Sequence, residues 1–344
     1  MARFVSSPET FVVEEIPAYP PSGEGEHAYL WIEKQNLTTL EAVNRLSHVL
    51  GVDARDVGYA GMKDRRATTR QWLSVLGVEV ERARAAVVDG MRILAADRHK
   101  NKLRVGHLRG NHFEVVLDEL AQGEADSMAA MLQRLSDTGL PNRYGHQRFG
   151  SAGDNLAMGL EVLRGTRREP DGRRRKLLLS AVQSAVFNRV LELRAAEGGL
   201  LSVREGDILE KVGSGGQFVC DDVGLDQARV DAGEVVPTGP LPGGHVRAPA
   251  PNTAARTLED RAVGELGIAP GELEQVGRVL PGARRPVVVR ITLGQPAVST
   301  EDDRLRLRFT LPPGSYATVV LDALGVSQGR SNEPVLASGP AAPR

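Results

Sequence analysis

The sequence has little of several features that often reveal a protein's chemistry. A single cysteine, Cys220, excludes an internal disulfide and a cysteine-based zinc site. Aromatic residues make up 4 % of the chain, and no apolar run approaches the roughly 18 residues of a membrane span. The first residues, MARFVSSPETFVVEEIP, also lack the long apolar core of a signal peptide. We therefore expect a cytoplasmic protein with no membrane association.

Common cofactor motifs are missing as well. No GxxxxGK[ST] phosphate loop and no HExxH metal motif occur, and the seven histidines are scattered. The glycines at 213–216 do not lie between a buried strand and a helix, as a dinucleotide-binding fingerprint requires. We therefore expect an active site that needs neither a cofactor nor a metal.

Charge is nearly balanced overall but unevenly distributed. The formal net charge is −1, whereas residues 97–112 carry five Lys or Arg against one Asp, and residues 164–176 carry seven against two acids. Two such runs are compatible with solvated loops and equally with a surface that follows nucleic-acid phosphates. Composition leaves both interpretations open.

The order of predicted elements indicates an α+β protein. Alternation predicts strands at 10–16, 28–34 and 304–311, and paired strands at 102–108 and 112–120. A capping box at Thr38 and Glu41 starts a helix that ends at Gly51, with an apolar stripe that includes Leu40. The Gly- and Pro-rich stretch 237–251 reads as loop. A change of character after Gly139 indicates a second module up to about residue 290.

The stretch GYAGMKDRRATTRQW (58–72) places one carboxylate, Asp64, among cations just after a glycine-hinged turn. An isolated Asp beside arginines is more often a helix cap or an ion pair, here with Arg65 or Arg66. Alternatively, adjacent cations keep a partly buried carboxylate ionised, so that Asp64 acts as a nucleophile or base.

Several other residues suit RNA contact but also have ordinary structural roles. Asn111, in LRGNHF, offers a donor and an acceptor to a base, or it is a turn residue in a left-handed conformation. Phe113 suits base stacking. Phe11 and Tyr316 are aromatic residues that more often serve in packing.

The motifs GYAGMKDRRATTRQW, RHKNKLRVGHLRGNHF, PNRYGHQRFG, KLLLSAVQSAVFNRVL, TGPL and LPPGSYAT, in this order, resemble the TruD family of tRNA pseudouridine synthases. The resemblance covers residues 8 to about 195 well and the last fifty moderately. It implies a mixed, mostly antiparallel pseudouridine-synthase sheet with helices (1–138 plus 291–344), interrupted by an inserted α+β TRUD domain (139–290). The implied activity is conversion of a tRNA uridine, at position 13 in the D arm, to pseudouridine.

The resemblance also implies roles for individual residues. The catalytic aspartate falls on Asp64, and the family's substrate contacts fall on Phe11, Asn111 and Tyr316. The last position is usually Phe, so a hydroxyl is added here, and Arg143 and Tyr144 stand where the family commonly has Tyr and Phe.

The prediction also covers the cations next to Asp64, the partner and the alternative functions. Lys63, Arg65 or Arg66 would orient Asp64 or bind a neighbouring phosphate. We expect tRNA as the partner and a monomer, since no pattern demands a dimer. A non-catalytic RNA-binding module is the main alternative, and a nucleoside or glycosyl hydrolase is a weaker one.

Overall fold

The computed structural model describes residues 2–150, 153–301 and 304–329, which form two compact units. One unit contains the residues up to Asp137 and those from Arg290 onwards, and the other is Thr138–Val289. Within the described ranges, no helix is both long and apolar enough to cross a membrane.

The first unit contains the following elements, numbered along the whole chain: β1 Arg3–Val5, β2 Phe11–Pro17, β3 His27–Gln35, α1 Thr39–Leu50, β4 Val57–Tyr59, β5 Thr68–Leu76, α2 Val80–Arg84, β6 Met91–His99, β7 Leu108–Leu117, α3 Glu124–Thr138 (its last residue crosses the boundary), β14 Thr292–Glu301, β15 Arg304–Leu311, α8 Ala317–Ala323 and β16 Ser327–Gly329.

A mostly antiparallel sheet organises this unit. Its strand order is β14-β15-β7-β2-β5-β3-β6, with β4 also paired to β5. Only β2 and β5 run parallel within it, and β1 and β16 form a separate parallel pair. The mixed α+β class is thereby confirmed. The strict alternation of 304–311 is confirmed too, because its odd-numbered residues are the buried ones.

Helix α1 covers one face of the sheet and closes a core with β3, β5 and β6. Its predicted limits are confirmed: Thr38 and Glu41 form a complete capping box, and Gly51 ends the helix with φ +64°. The predicted apolar stripe is partly wrong. Leu40 is 47 % exposed, whereas Thr39 is fully buried. The buried side of α1 therefore includes a hydroxyl.

The second unit contains β8 Leu140–Pro141, a 3-10 turn His146–Phe149, α4 Asn155–Leu163, α5 Gly172–Ala196, β9 Ile208–Lys211, β10 Gln217–Val219, α6 Val223–Asp231, β11 Val235–Leu241, α7 Ala254–Glu265, β12 Ala283–Pro286 and β13 Val288–Val289.

Helix α5 forms the centre of this unit, with buried side chains along most of its length. A sheet of order β10-β9-β11-β12 packs with it. Two ion pairs link its parts, the buried pair of Arg194 with Asp207 and the largely buried pair of Arg284 with Glu259, each with a shortest distance of 2.7 Å.

Two predictions from the sequence are wrong, one for the hairpin strand at 102–108 and one for the loop at 237–251. Residues 100–107 form a loop and not the first strand of a hairpin, so β7 pairs with β2 and β15 instead. The stretch predicted as loop begins inside β11, whose Gly239 lies against Phe187 of α5: a Cβ there would come within 2.9 Å of the ring. A glycine that signals a turn in the sequence here permits close helix packing.

Candidate active site

The loop that carries Asp64 runs from β4 to β5 in the first unit. Asp64 is exposed, and its carboxylate forms no ion pair with the residues that the structure describes. The neighbouring Arg65 turns away: its guanidinium lies 3.5 Å from Glu41 and donates to the carbonyl of Asn36. The structure therefore contradicts the expected partial burial of Asp64 and its pairing with Arg65. The carboxylate is open to an incoming ligand.

Lys63, the residue before Asp64, points in the opposite direction. Its ammonium lies 2.8 Å from the carboxylate of Glu15, and the two side chains are 3 % and 0 % exposed. Glu15 also accepts a bond from the backbone N–H of Trp72. Burial raises the pKa of Glu15, and the nearby Lys63 opposes this rise. The predicted contact between Lys63 and RNA does not fit this position. Lys63 instead anchors the loop.

Buried side chains also hold the backbone of the loop. The hydroxyl of Thr39, on α1, accepts from the N–H of Lys63 at 2.8 Å and donates to Gln71 at 3.0 Å. Gln71, on β5, donates in turn to the carbonyl of Gly61. Two backbone groups of the loop are thus fixed by one chain of hydrogen bonds, which explains the burial of Thr39.

A second buried lysine completes the support. Lys34, on β3, is 1 % exposed and donates to the carbonyls of Leu37 and of Asp64, the latter at 3.1 Å. Burial lowers the pKa of Lys34 to about 8, with Asp64 acting in the opposite direction. Lys34 therefore connects the interior of the sheet directly to the main chain of Asp64.

Asn111 lies in the middle of β7, so its interpretation as a turn residue is wrong. It is paired with Glu15 on β2 and with Leu311 on β15. Residues directly opposite each other in antiparallel strands share a face, so Asn111 faces the same side as Glu15. Its side-chain oxygen is buried and has no hydrogen-bond partner among the described residues. Such an acceptor needs a donor from elsewhere.

The strands around Asn111 approach unusually closely. A Cβ on Gly110 would lie 2.5 Å from the carbonyl oxygen of Leu311, so only glycine fits beside β15. Five residues after Leu311, Tyr316 precedes α8 and is 68 % exposed. A large exposed aromatic ring is available there for contact with a ligand.

Phe11 and Phe113 are buried residues of the sheet. The ring of Phe113 is stacked on Phe11 at 6.1 Å and on Phe309 at 5.6 Å. Phe4 packs edge-on against Phe11 at 5.5 Å. The prediction that Phe113 stacks on an RNA base does not fit this position, because aromatic neighbours occupy the ring's surroundings and the side chain is buried.

Sequence reasoning missed Glu15 and Lys34. The signal for Lys34 was present in AYLWIEK, where strict alternation places Lys34 on the same face as the buried Leu30 and Ile32. A charged residue at an inward position of a strand indicates a buried partner or a functional site.

Comparison with known proteins agrees with the fold and the motifs. The family model described as "tRNA pseudouridine synthase D (TruD)" matches residues 2–170 and 171–324. A tRNA pseudouridine synthase D of Anaeromyxobacter sp. (strain Fw109-5) is 40 % identical over 92 % of this chain and 90 % of its own length. A tRNA pseudouridine synthase D of Thermus thermophilus is also 40 % identical, over 91 % of this chain and 86 % of its own length.

A solved structure supports the same fold. The Methanosarcina mazei protein described as a tRNA pseudouridine synthase D superposes with a TM-score of 0.73, at 20 % identity, over 92 % of each chain. Together with the matches across most of the sequence, the comparisons show that the chain belongs to the tRNA pseudouridine synthase D (TruD) family of isomerases.

Proposed function

We propose that this enzyme converts a uridine in tRNA, at position 13 of the D arm, to pseudouridine, with Asp64 as the reacting carboxylate. The observation that carries the proposal is the placement of an exposed carboxylate on a loop whose backbone is fixed from below by Lys34, Thr39 and Gln71. A fixed backbone favours reaction because misplacement of a reacting group by about 1 Å can cost about 10²-fold in rate.

The unpaired acceptor of Asn111 supports uridine as the target. The N3–H of uracil is a hydrogen-bond donor, and a buried oxygen without a partner among the described residues lies on the face that also carries Glu15. Binding of the uracil would satisfy this oxygen, whereas a base with an acceptor at the same place would leave two lone pairs opposed. Asn111 thus favours uridine over cytidine.

Tyr316 supports a flipped-out base. Removing a nucleotide from its stack costs a few kcal/mol, and stacking on an aromatic side chain returns about 1–3 kcal/mol per base. The exposed Tyr316 offers such a surface. Arg65 is exposed but lies 3.5 Å from Glu41, so we assign it no contact with the reacting base.

The reaction requires no redox change and no net hydrolysis. The bond between N1 and C1′ breaks, a bond between C5 and C1′ forms, and the proton lost from C5 is balanced by one gained at N1. Asp64 acts either by attack on the ribose or by removal of a ribose proton. The carboxylate is regenerated in both cases, so the chain's own residues suffice.

The division of the chain into two compact units supports different roles for them. We assign catalysis to the unit that contains Asp64, Asn111 and Tyr316, and we assign the TRUD insertion to Thr138–Val289. The enzyme acts as a monomer in the cytoplasm, where its tRNA substrate is found.

Replacement of Asp64 by Asn tests the proposal. Substrate tRNA labelled with tritium at uridine C5 loses the label on isomerisation, and Asp64→Asn should lower this release at least about 10³-fold. RNA affinity should change little. Asp126→Asn, an exposed aspartate in the same unit, is the control.

Other outcomes identify the alternatives. Unchanged tritium release by Asp64→Asn would refute the assigned role. RNA binding without isomerisation by the wild type would favour a binding module, and release of free uracil would indicate a hydrolase. Carbodiimide mapping of tRNA from cells without the gene should show loss of one pseudouridine, in the D arm.

A further inference from the structure

A solvent-open cavity lies in the first unit, beside the loop of residues 100–107. It has a volume of about 480 Å³. Its lining contains aromatic, basic and amide side chains but no carboxylate: Tyr19, His99, Asn101, Lys102, Arg104 and His107. A cavity of this composition attracts anions and disfavours metal cations.

The loop that forms the cavity is firmly held. The N–H of Gly106 donates to the carbonyl of Ala60 at 2.8 Å, and the N–H of Leu103 donates to the hydroxyl of Ser74 at 2.9 Å. The carbonyl of Leu103 lies so close to Gly58 that a Cβ there would be 2.3 Å away. The cavity is therefore a built feature of the fold.

The inner wall offers oriented hydrogen-bond donors. The ring of Tyr19 is stacked on His99 at 5.0 Å, and its hydroxyl lies 2.6 Å from Nδ1 of His107. Nδ1 of His99 accepts from the N–H of Ser22. In the neutral ring this leaves Nε2 as the protonated nitrogen, which can donate to a ligand.

Within the part of the chain that the structure describes, the cations of the cavity have no acidic partners. Arg104 is exposed, and its guanidinium forms no hydrogen bond or ion pair with any residue that the structure describes. Among the described residues, the partner of the Lys102 ammonium is a backbone carbonyl, that of Arg55. An arginine and a lysine at one cavity, with no carboxylate to neutralise them, are suited to a phosphate group.

We propose that this cavity binds a phosphodiester of the RNA substrate, together with its nucleoside, a few nucleotides from the target uridine. The inference rests on the proposed function for the identity of the RNA. Ala60, which anchors the loop, precedes Asp64 by four residues, a span of at most about 14 Å. The volume exceeds that of a phosphate alone, so the attached nucleoside also has room in the cavity.

The test uses RNA binding by the Asp64→Asn enzyme, so that turnover does not enter the measurement. Adding Lys102→Ala and Arg104→Ala should weaken the affinity for substrate tRNA about tenfold. The slope of log affinity against log salt should fall by about 0.7, the value for one phosphate on a single strand. Arg109→Ala is the matched control, since it removes a charge from the same basic segment without lining the cavity.

Each result of this experiment is decisive. An equal loss in Arg109→Ala would show a diffuse charge effect and overturn the cavity assignment, as would unchanged affinity in the double variant. Binding of uridine 5′-monophosphate to the cavity, with no effect of the double variant on tRNA affinity, would assign it to free nucleotides and refute the RNA role. If the wild type binds tRNA through the cavity but forms no pseudouridine, the proposed function fails and the cavity proposal stands.

Discussion

Lys34 carries its ammonium into the interior of the first unit and donates to the main chain of Asp64. The substitution Lys34→Met keeps the length of the side chain and removes the charge and both hydrogen bonds. At neutral pH two opposing effects result. The variant avoids burial of a charge but leaves the carbonyls of Leu37 and Asp64 unpaired.

The magnitudes decide which measurement is informative. Burial lowers the pKa of Lys34 from 10.5 to about 8, a difference of about 2.5 units or about 3 kcal/mol. Two buried carbonyls without partners cost about 1–3 kcal/mol each. These terms nearly cancel at pH 7. Their pH dependence does not cancel, because the folded wild type releases its proton near pH 8 and the unfolded chain near 10.5.

The sign follows from proton counting. Between about pH 8 and 10.5 the unfolded chain binds more protons at Lys34, so the free energy of unfolding of the wild type rises relative to Lys34→Met. The difference should grow by about 3 kcal/mol across this window and be smallest below pH 8. Lys100→Met, which removes an exposed ammonium from the same unit, should show no such trend.

Urea unfolding followed by tryptophan fluorescence measures this quantity. Both tryptophans of the chain, Trp31 and Trp72, lie in the first unit, so the signal reports that unit alone. A difference that stays constant within about 1 kcal/mol from about pH 8 to 10.5 would refute the assignment of a buried, charged Lys34. Turnover gives a second readout: kcat should fall up to about 10²-fold, with little change in KM, if Lys34 positions Asp64.

Three further predictions follow from the same site. Tyr316→Phe should keep the tRNA affinity of the wild type, whereas Tyr316→Ala should weaken it by about 1–3 kcal/mol in a filter-binding titration. Equal affinities of the Ala and Phe variants would show that the ring does not contact the RNA. Lys63→Met should lower the free energy of unfolding by about 3–5 kcal/mol, because Glu15 is left buried and unpaired, and adding Glu15→Gln should recover part of the loss in urea. Asn111→Ala should reduce kcat/KM at least about tenfold without loss of thermal stability, since it removes a buried acceptor that has no partner among the described residues; a large drop in Tm would contradict this.

Local sequence rules predicted where helices and strands begin and end better than they predicted which residues pack around them. The capping box of α1 and the alternation of β15 depend on nearby residues, and both are confirmed. The buried face of α1 was misjudged because hydrophobic periodicity does not register Thr39. Its hydroxyl is inside since it connects the 60–67 loop to Gln71, a contact between residues far apart in the sequence.

The strand predicted at 102–108 is wrong for a different reason. Leu103 is buried, but the N–H groups of Leu103 and Gly106 bond to the hydroxyl of Ser74 and the carbonyl of Ala60, and strand pairing begins only at Leu108. Val105, at an apolar position of the pattern, is exposed. Periodicity of two is a property of paired strands, so in this unpaired segment it predicts the burial of Leu103 but not that of Val105.

The charged motif around Asp64 and the buried side chains that support its loop have different physical explanations. Asp64 lies in a stretch of charges that any reader of the sequence notices, yet its surroundings in the fold are the buried Lys34, Lys63 and Glu15. Buried ionised groups seldom add stability compared with apolar side chains of equal volume. A protein selected for stability alone would gain from replacing them. Hydrogen bonds to the carbonyls of Gly61 and Asp64 specify a backbone geometry that apolar packing does not. The buried polar groups are therefore explained if the loop backbone must keep one conformation when it binds RNA.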